Sequence, residues 1–165
     1  MNDWQGLRIV ALIAIWLTVG GGVVLATVWF KAGGARAAGP EDQIMSEAGA
    51  AVRSENGKTT SFSTAQVLGH ALLALLTASL ITYAVLRPDN RGGGYLVAIC
   101  AIAVTAVPGV MMYWKWRTGI RPQFRTADVA SAERVEDHLP KPVVVGHGLL
   151  AATVVTLLIA LVILD

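Results

Sequence analysis

The chain has 165 residues, 55% of them hydrophobic and 15% charged, against the roughly 25% charged residues of a soluble globular domain. A formal net charge of +2 and the lack of a basic stripe with interleaved aromatics exclude a nucleic-acid binder. A single cysteine, Cys100, excludes an intrachain disulfide, and without CxxCH covalent c-type haem is excluded as well.

The first long uncharged run, Ile9–Phe30, is about twenty residues, enough for a helix of roughly 30 Å that crosses a bilayer. Ala35-Arg36-Ala37 resembles the small-residue pattern of a signal-peptide cleavage site. The run is nevertheless longer than the 7–15 residues typical of a signal h-region, so a retained helix is expected. Gly20-Gly21-Gly22 should loosen or kink this span. The loop that follows, 31–63, is rich in Gly, Ala, Ser and Glu, and Asn56-Gly57 could close a small hairpin there.

The second span, Ala65–Leu86, follows Ser63 and Gln66, a possible capping box. The joint 87–94 holds the Pro, Asn and Gly punctuation of a turn. The third span, Tyr95–Trp114, carries Pro108-Gly109 at the place that corresponds to the glycine triplet of the first. Loop 115–142 contains Thr126, which could cap a short helix over 127–136 whose charges face water. The fourth span, Val143–Leu164, starts at Pro142, a favoured first helical residue.

None of the four runs contains Asp, Glu, Lys or Arg, and in hydrocarbon a helix satisfies every backbone donor and acceptor internally. The expected fold is therefore all-α: an integral membrane four-helix bundle forming one domain over 1–165, with the lipid bilayer as its solvent. Four spans put both termini and joint 87–94 on one side and loops 31–63 and 115–142 on the other. Those loops carry ten of the thirteen cations, so the Lys/Arg bias puts them in the cytoplasm of a multi-pass protein of the cell membrane. Trp29, Tyr113, Trp114 and Trp116 are expected as an interfacial aromatic belt at that surface.

Val67–Ala74 and Val144–Ala151 agree at six of eight positions, and Trp29-Phe30-Lys31 is loosely echoed by Trp116-Arg117-Thr118. Two αα-hairpins related by duplication, with a small loop cap on one side, are the expected organisation. Chance matches among Leu/Val/Ala-rich helices are the competing explanation.

Within the spans the side chains of real chemical capability are His70 and His147, and an intramembrane ionisable residue is a functional-site hypothesis by default. Each sits about five to seven residues, or roughly 7–11 Å, below the same surface. Two neutral imidazoles facing each other from separate helices are the axial ligands that a b-type haem needs. Gly69, Ala71, Ala74, Gly146, Gly148 and Ala151 leave room beside them, although small residues also serve plain helix packing.

Three other readings stay open. Each histidine could hydrogen-bond a neighbouring helix; a zinc or copper site could form if loop residue His138 joins the pair; or the imidazoles could contact quinone or lipid. Arg121, Arg125 and Lys141 could meet haem propionates. Thr18, Thr77, Ser79, Thr82, Thr105, Thr153 and Thr156 are expected to bond their own preceding turns, and Cys100 is expected to be buried and inert.

The Gly-His segments resemble the general architecture of small four-helix membrane cytochromes, over those two segments alone. Such cytochromes often carry further histidines for a second haem, so the resemblance implies one haem b at most. The leading expectation is a haem-binding membrane subunit relaying electrons between quinone and a partner protein. Its rival is a non-redox accessory subunit of a larger membrane complex. GxSxG, HExxH and P-loop patterns are all missing, so hydrolysis and nucleotide chemistry are not expected.

Overall fold

A computed structural model describes residues 3–37, 39, 57–87, 93–119 and 133–164. Four helices dominate it: α1 Asp3–Lys31, α2 Thr64–Leu86, α3 Gly93–Thr118 and α4 Lys141–Leu164. All four are long and apolar enough to cross a membrane, as expected of a multi-pass membrane protein. Each exceeds the uncharged run that announces it, by one residue at the start of α2 and by six at the start of α1, because helix geometry continues into the interfacial polar residues. The helix assignment is unbroken through Gly20–Gly22 and through Pro108.

The helices pack in a ring, α1 against α2 and α4, and α3 against α2 and α4, which leaves α2 and α4 on one diagonal. Ser63 caps α2, its Oγ accepting from the Gln66 N–H at 3.1 Å. The return half of the capping box is not made; Gln66 Oε1 instead accepts from Lys115 Nζ at 3.4 Å, which ties α2 to α3.

Two apolar clusters divide the bundle. Toward the joint, Ala11, Ile15, Ala78, Ile81, Ala98 and Leu158 belong to a cluster drawn from all four helices. Its alanines let helix backbones approach closely. Toward the long connections, Trp29, Phe62, Val67, Val135, Leu139 and Val144 form the second.

The second cluster joins segments far apart in sequence. Strand β1 (Lys58–Thr59) pairs in parallel with β2 (Glu133–Arg134), Lys58 opposite Glu133 and Thr59 opposite Arg134. Lys58 and Thr59 thus pair across the bundle rather than in a local hairpin. The other arm of that expected hairpin, 52–55, lies outside the described residues. Most of the short helix expected over 127–136 lies outside them too, and its last residues form β2 and the start of a 3-10 turn, Val135–His138.

Three expectations on individual side chains are corrected. Trp29 is 2% exposed and packs beneath the connections instead of sitting in an aromatic belt; Tyr113 and Trp114 do keep exposed positions. Glu136 is fully buried and Arg134 nearly so, where the charge pattern alone suggests a wet surface. Cys100 lies exposed on the outer face of α3.

Candidate functional site: a pair of imidazoles across the bundle

His70 and His147 are each the seventh residue of their helix, which places both about 9 Å below the helix start. α2 and α4 run in the same direction on one diagonal, so equal depth brings the rings together. Their centroids are 6.4 Å apart and their planes stand at 80°. Val67 and Val144, one turn closer to the surface on the same helices, belong to the loop-side apolar cluster. That cluster covers the imidazoles from above.

Each ring is seated on an odd-numbered helix. His147 Nδ1 lies 2.9 Å from the Thr18 carbonyl of α1. A carbonyl can only accept, so Nδ1 carries the proton and Nε2 keeps its lone pair. A Cβ placed on Gly22 would stand 3.2 Å from Cε1 of the same ring. Gly21 and Gly22 of the triplet therefore lie in contact with a histidine, whereas Gly20 meets nothing within 4 Å.

His70 packs against α3 at a glycine in its turn, without a counterpart of the His147–Thr18 bond. A Cβ on Gly109 would stand 2.9 Å from the ring's Cε1. Pro108 lacks the N–H that the Val104 carbonyl would otherwise receive. His70 Nδ1 is buried with no hydrogen-bond partner. A buried polar atom without a partner is costly, and in native proteins such atoms call for an explanation such as a ligand.

The glycines beside the histidines play no such part. A Cβ on Gly69, Gly146 or Gly148 would meet nothing within 4 Å. The small residues that matter come from the neighbouring helices, a cross-helix relation that spacing within one segment does not display.

His138 is not brought to the pair. It sits in the 3-10 turn, 39% exposed at its side chain, with Nε2 3.4 Å from Glu133 Oε1. Among the described residues no group of three or more His, Cys, Asp or Glu could hold a metal ion. Lys141 is exposed at the start of α4, while Arg121 and Arg125 lie outside the described residues.

A second polar cluster, missed by sequence reasoning, lies at the long-connection end. Glu136 Oε1 accepts from the Thr60 hydroxyl and from the Ser61 N–H, both at 2.6 Å. Thr60 in turn accepts from Trp29 Nε1 at 3.2 Å, and Arg134 Nε stands 3.8 Å from Glu136 Oε2. These groups close the surface above the apolar cluster with their polar atoms turned to one another.

No protein-family model, curated protein or solved structure matches the chain.

Proposed function

We propose that this chain holds one b-type haem between His70 and His147 and relays electrons in the cell membrane between a quinone and a partner protein. The observation that carries the reading is the spacing of the two rings. Imidazole nitrogens on opposite sides of one iron, each about 2 Å from it, put the ring centres roughly 6 Å apart; these stand at 6.4 Å.

The residues present fit the group in two further respects. His147 directs Nδ1 to the Thr18 carbonyl, the outer contact that fixes the tautomer of a ligating histidine and leaves Nε2 for the metal. His70 offers a buried Nδ1 that no protein group satisfies. A haem held by His70 and His147 would supply one-electron transfer. The chain's own part is to hold two neutral imidazoles at fixed depth and to exclude water with the apolar clusters on either side.

We read the architecture behind this site as two helix hairpins related by duplication, closed by a small cap of the two long connections. The Gly-His step recurs in α2 and α4, and Ala11, Ile15, Thr18, Gly22 and Trp29 recur at one constant interval as Ala98, Ile102, Thr105, Gly109 and Trp116. The β1–β2 pairing supports the cap.

A non-redox accessory subunit is the second reading, favoured by the hydrogen bond of His147 to Thr18, which would serve helix packing without any cofactor. Purified protein separates the two. A Soret band that shifts on dithionite reduction, lost in His70→Ala and in His147→Ala but kept in His138→Ala, supports the haem. Intact protein that stays colourless when expressed with ample haem sinks it.

A further inference from the structure

We propose that a Thr-x-x-x-Gly seat, built twice, sets the orientation of the two imidazoles and, at its first copy, the tautomer: Thr18–Gly22 on α1 holds His147 through a carbonyl bond and a glycine contact, and Thr105–Gly109 on α3 positions His70 through the glycine contact. The inference deepens the haem reading and rests on it only for the identity of the ligand; the seating of the rings stands on protein contacts alone.

Residues four apart lie one above the other on a helix face, and the carbonyl of the first points toward the second. When the second is glycine, the face carries a notch with an acceptor at one edge and bare backbone beside it. An imidazole can press its Cε1 edge into that notch only if no Cβ fills it. The distances show how closely each ring does so: 3.2 Å from Cε1 of His147 to a Cβ on Gly22, and 2.9 Å from Cε1 of His70 to one on Gly109.

The two seats share their supporting bonds as well. The Thr18 hydroxyl bonds the Ala14 carbonyl at 2.8 Å and the Thr105 hydroxyl bonds the Ala101 carbonyl at 2.9 Å, and Ala14 and Ala101 stand at the same interval as the threonines. Both threonines are buried. Each hydroxyl holds the turn below its own carbonyl, so the acceptor edge of the notch is fixed from beneath.

The partners are exchanged between the hairpins. His147, of the α3–α4 hairpin, rests on α1, and His70, of the α1–α2 hairpin, rests on α3. Neither hairpin completes either half of the site alone. The seat also decides the chemistry on offer, since the Thr18 carbonyl takes the proton-bearing Nδ1 and turns the basic Nε2 of His147 outward.

Nitrogen-15 histidine NMR on the full-length protein in nanodiscs, without added haem, tests the seat directly, with resonances assigned by their loss in His70→Gln and His147→Gln. His147 is expected as the Nδ1–H tautomer. Gly22→Ala should shift the His147 resonances and Gly109→Ala those of His70, each with about tenfold or greater loss of haem retention. Gly20→Ala, Gly69→Ala and Gly146→Ala, whose Cβ atoms meet nothing within 4 Å, should leave both spectra and haem retention as they are. Gly22→Ala asks for only a small displacement and keeps the test alive if Gly109→Ala does not fold.

The Nε2–H tautomer at His147, or a Gly22→Ala spectrum identical to the parent, overturns the seat. A colourless protein with the expected tautomer and glycine pattern keeps the seat and removes the haem. A Soret band indifferent to Gly22→Ala and Gly109→Ala does the reverse.

Discussion

Thr60 donates a 2.6 Å hydrogen bond to Glu136 across 76 positions of sequence, and both side chains are buried. The Ser61 N–H adds a second donor to the same oxygen, and Arg134 stands 3.8 Å from the other. Removing one member of a buried ionic cluster strands the rest, at about 3–5 kcal/mol. Glu136→Ala should therefore destabilise the protein by about that much in reversible unfolding from detergent, and Thr60→Val by about 1–3 kcal/mol. A loss below about 1 kcal/mol for Glu136→Ala would mean that the pair behaves as a solvated surface contact.

The β1–β2 register gives a covalent test of how the connections meet. Lys58 lies opposite Glu133 in a parallel pair, and neighbouring strands are about 4.8 Å apart, inside the roughly 4.4–6.8 Å that a disulfide spans. With Cys100→Ala to remove the native thiol, Lys58→Cys together with Glu133→Cys should cross-link within one chain under mild oxidation, read as a gel shift reversed by reductant. Failure to cross-link in folded protein would place the two connections apart and undo the even number of spans between them.

Trp29 and Gly34 form a matched pair. A Cβ on Gly34 would collide with the Trp29 ring, and Trp29 also donates to Thr60. Overpacking of this kind costs about 1–3 kcal/mol, so Gly34→Ala should be destabilising by that amount in the parent and nearly neutral once Trp29→Ala has removed the ring. The double-mutant cycle measures this coupling. Equal costs in the two backgrounds would show that Gly34 is needed for its backbone and not for the ring.

Four charge-free runs of bilayer length were enough to specify the helices and their order, because hydrocarbon leaves the backbone no other economical choice. The matched depth of His70 and His147 was legible too, from their distances to the helix starts. The partners of the rings were not. Thr18, Gly22, Thr105 and Gly109 lie on other helices, and a helix buried on one face and lipid-exposed on the other reads as uniformly apolar. Trp29 and Glu136 were misplaced for the related reason that aromatics and acids at a helix end match both an interface and a buried hydrogen-bonded junction; only their meeting with Thr60 separates the two.

Thr77 shows the same limit within the spans. Its hydroxyl was expected to bond its own preceding turn, as those of Thr82, Thr153 and Thr156 do, but it meets Thr105 Oγ1 on α3 at 2.7 Å. Hydrogen bonds between transmembrane helices average about 0.6 kcal/mol, with a maximum near 1.7, because the separated helices find other acceptors. Thr77→Val should thus cost about 0.6 kcal/mol. The Thr105 hydroxyl keeps its bond to the Ala101 carbonyl in that variant, so the His70 seat should stay intact. Thr105→Val loses both bonds and should cost more than Thr77→Val while also shifting the His70 resonances. If instead both variants move His70 equally, the interhelical bond, and not the turn beneath the Thr105 carbonyl, is what holds the ring.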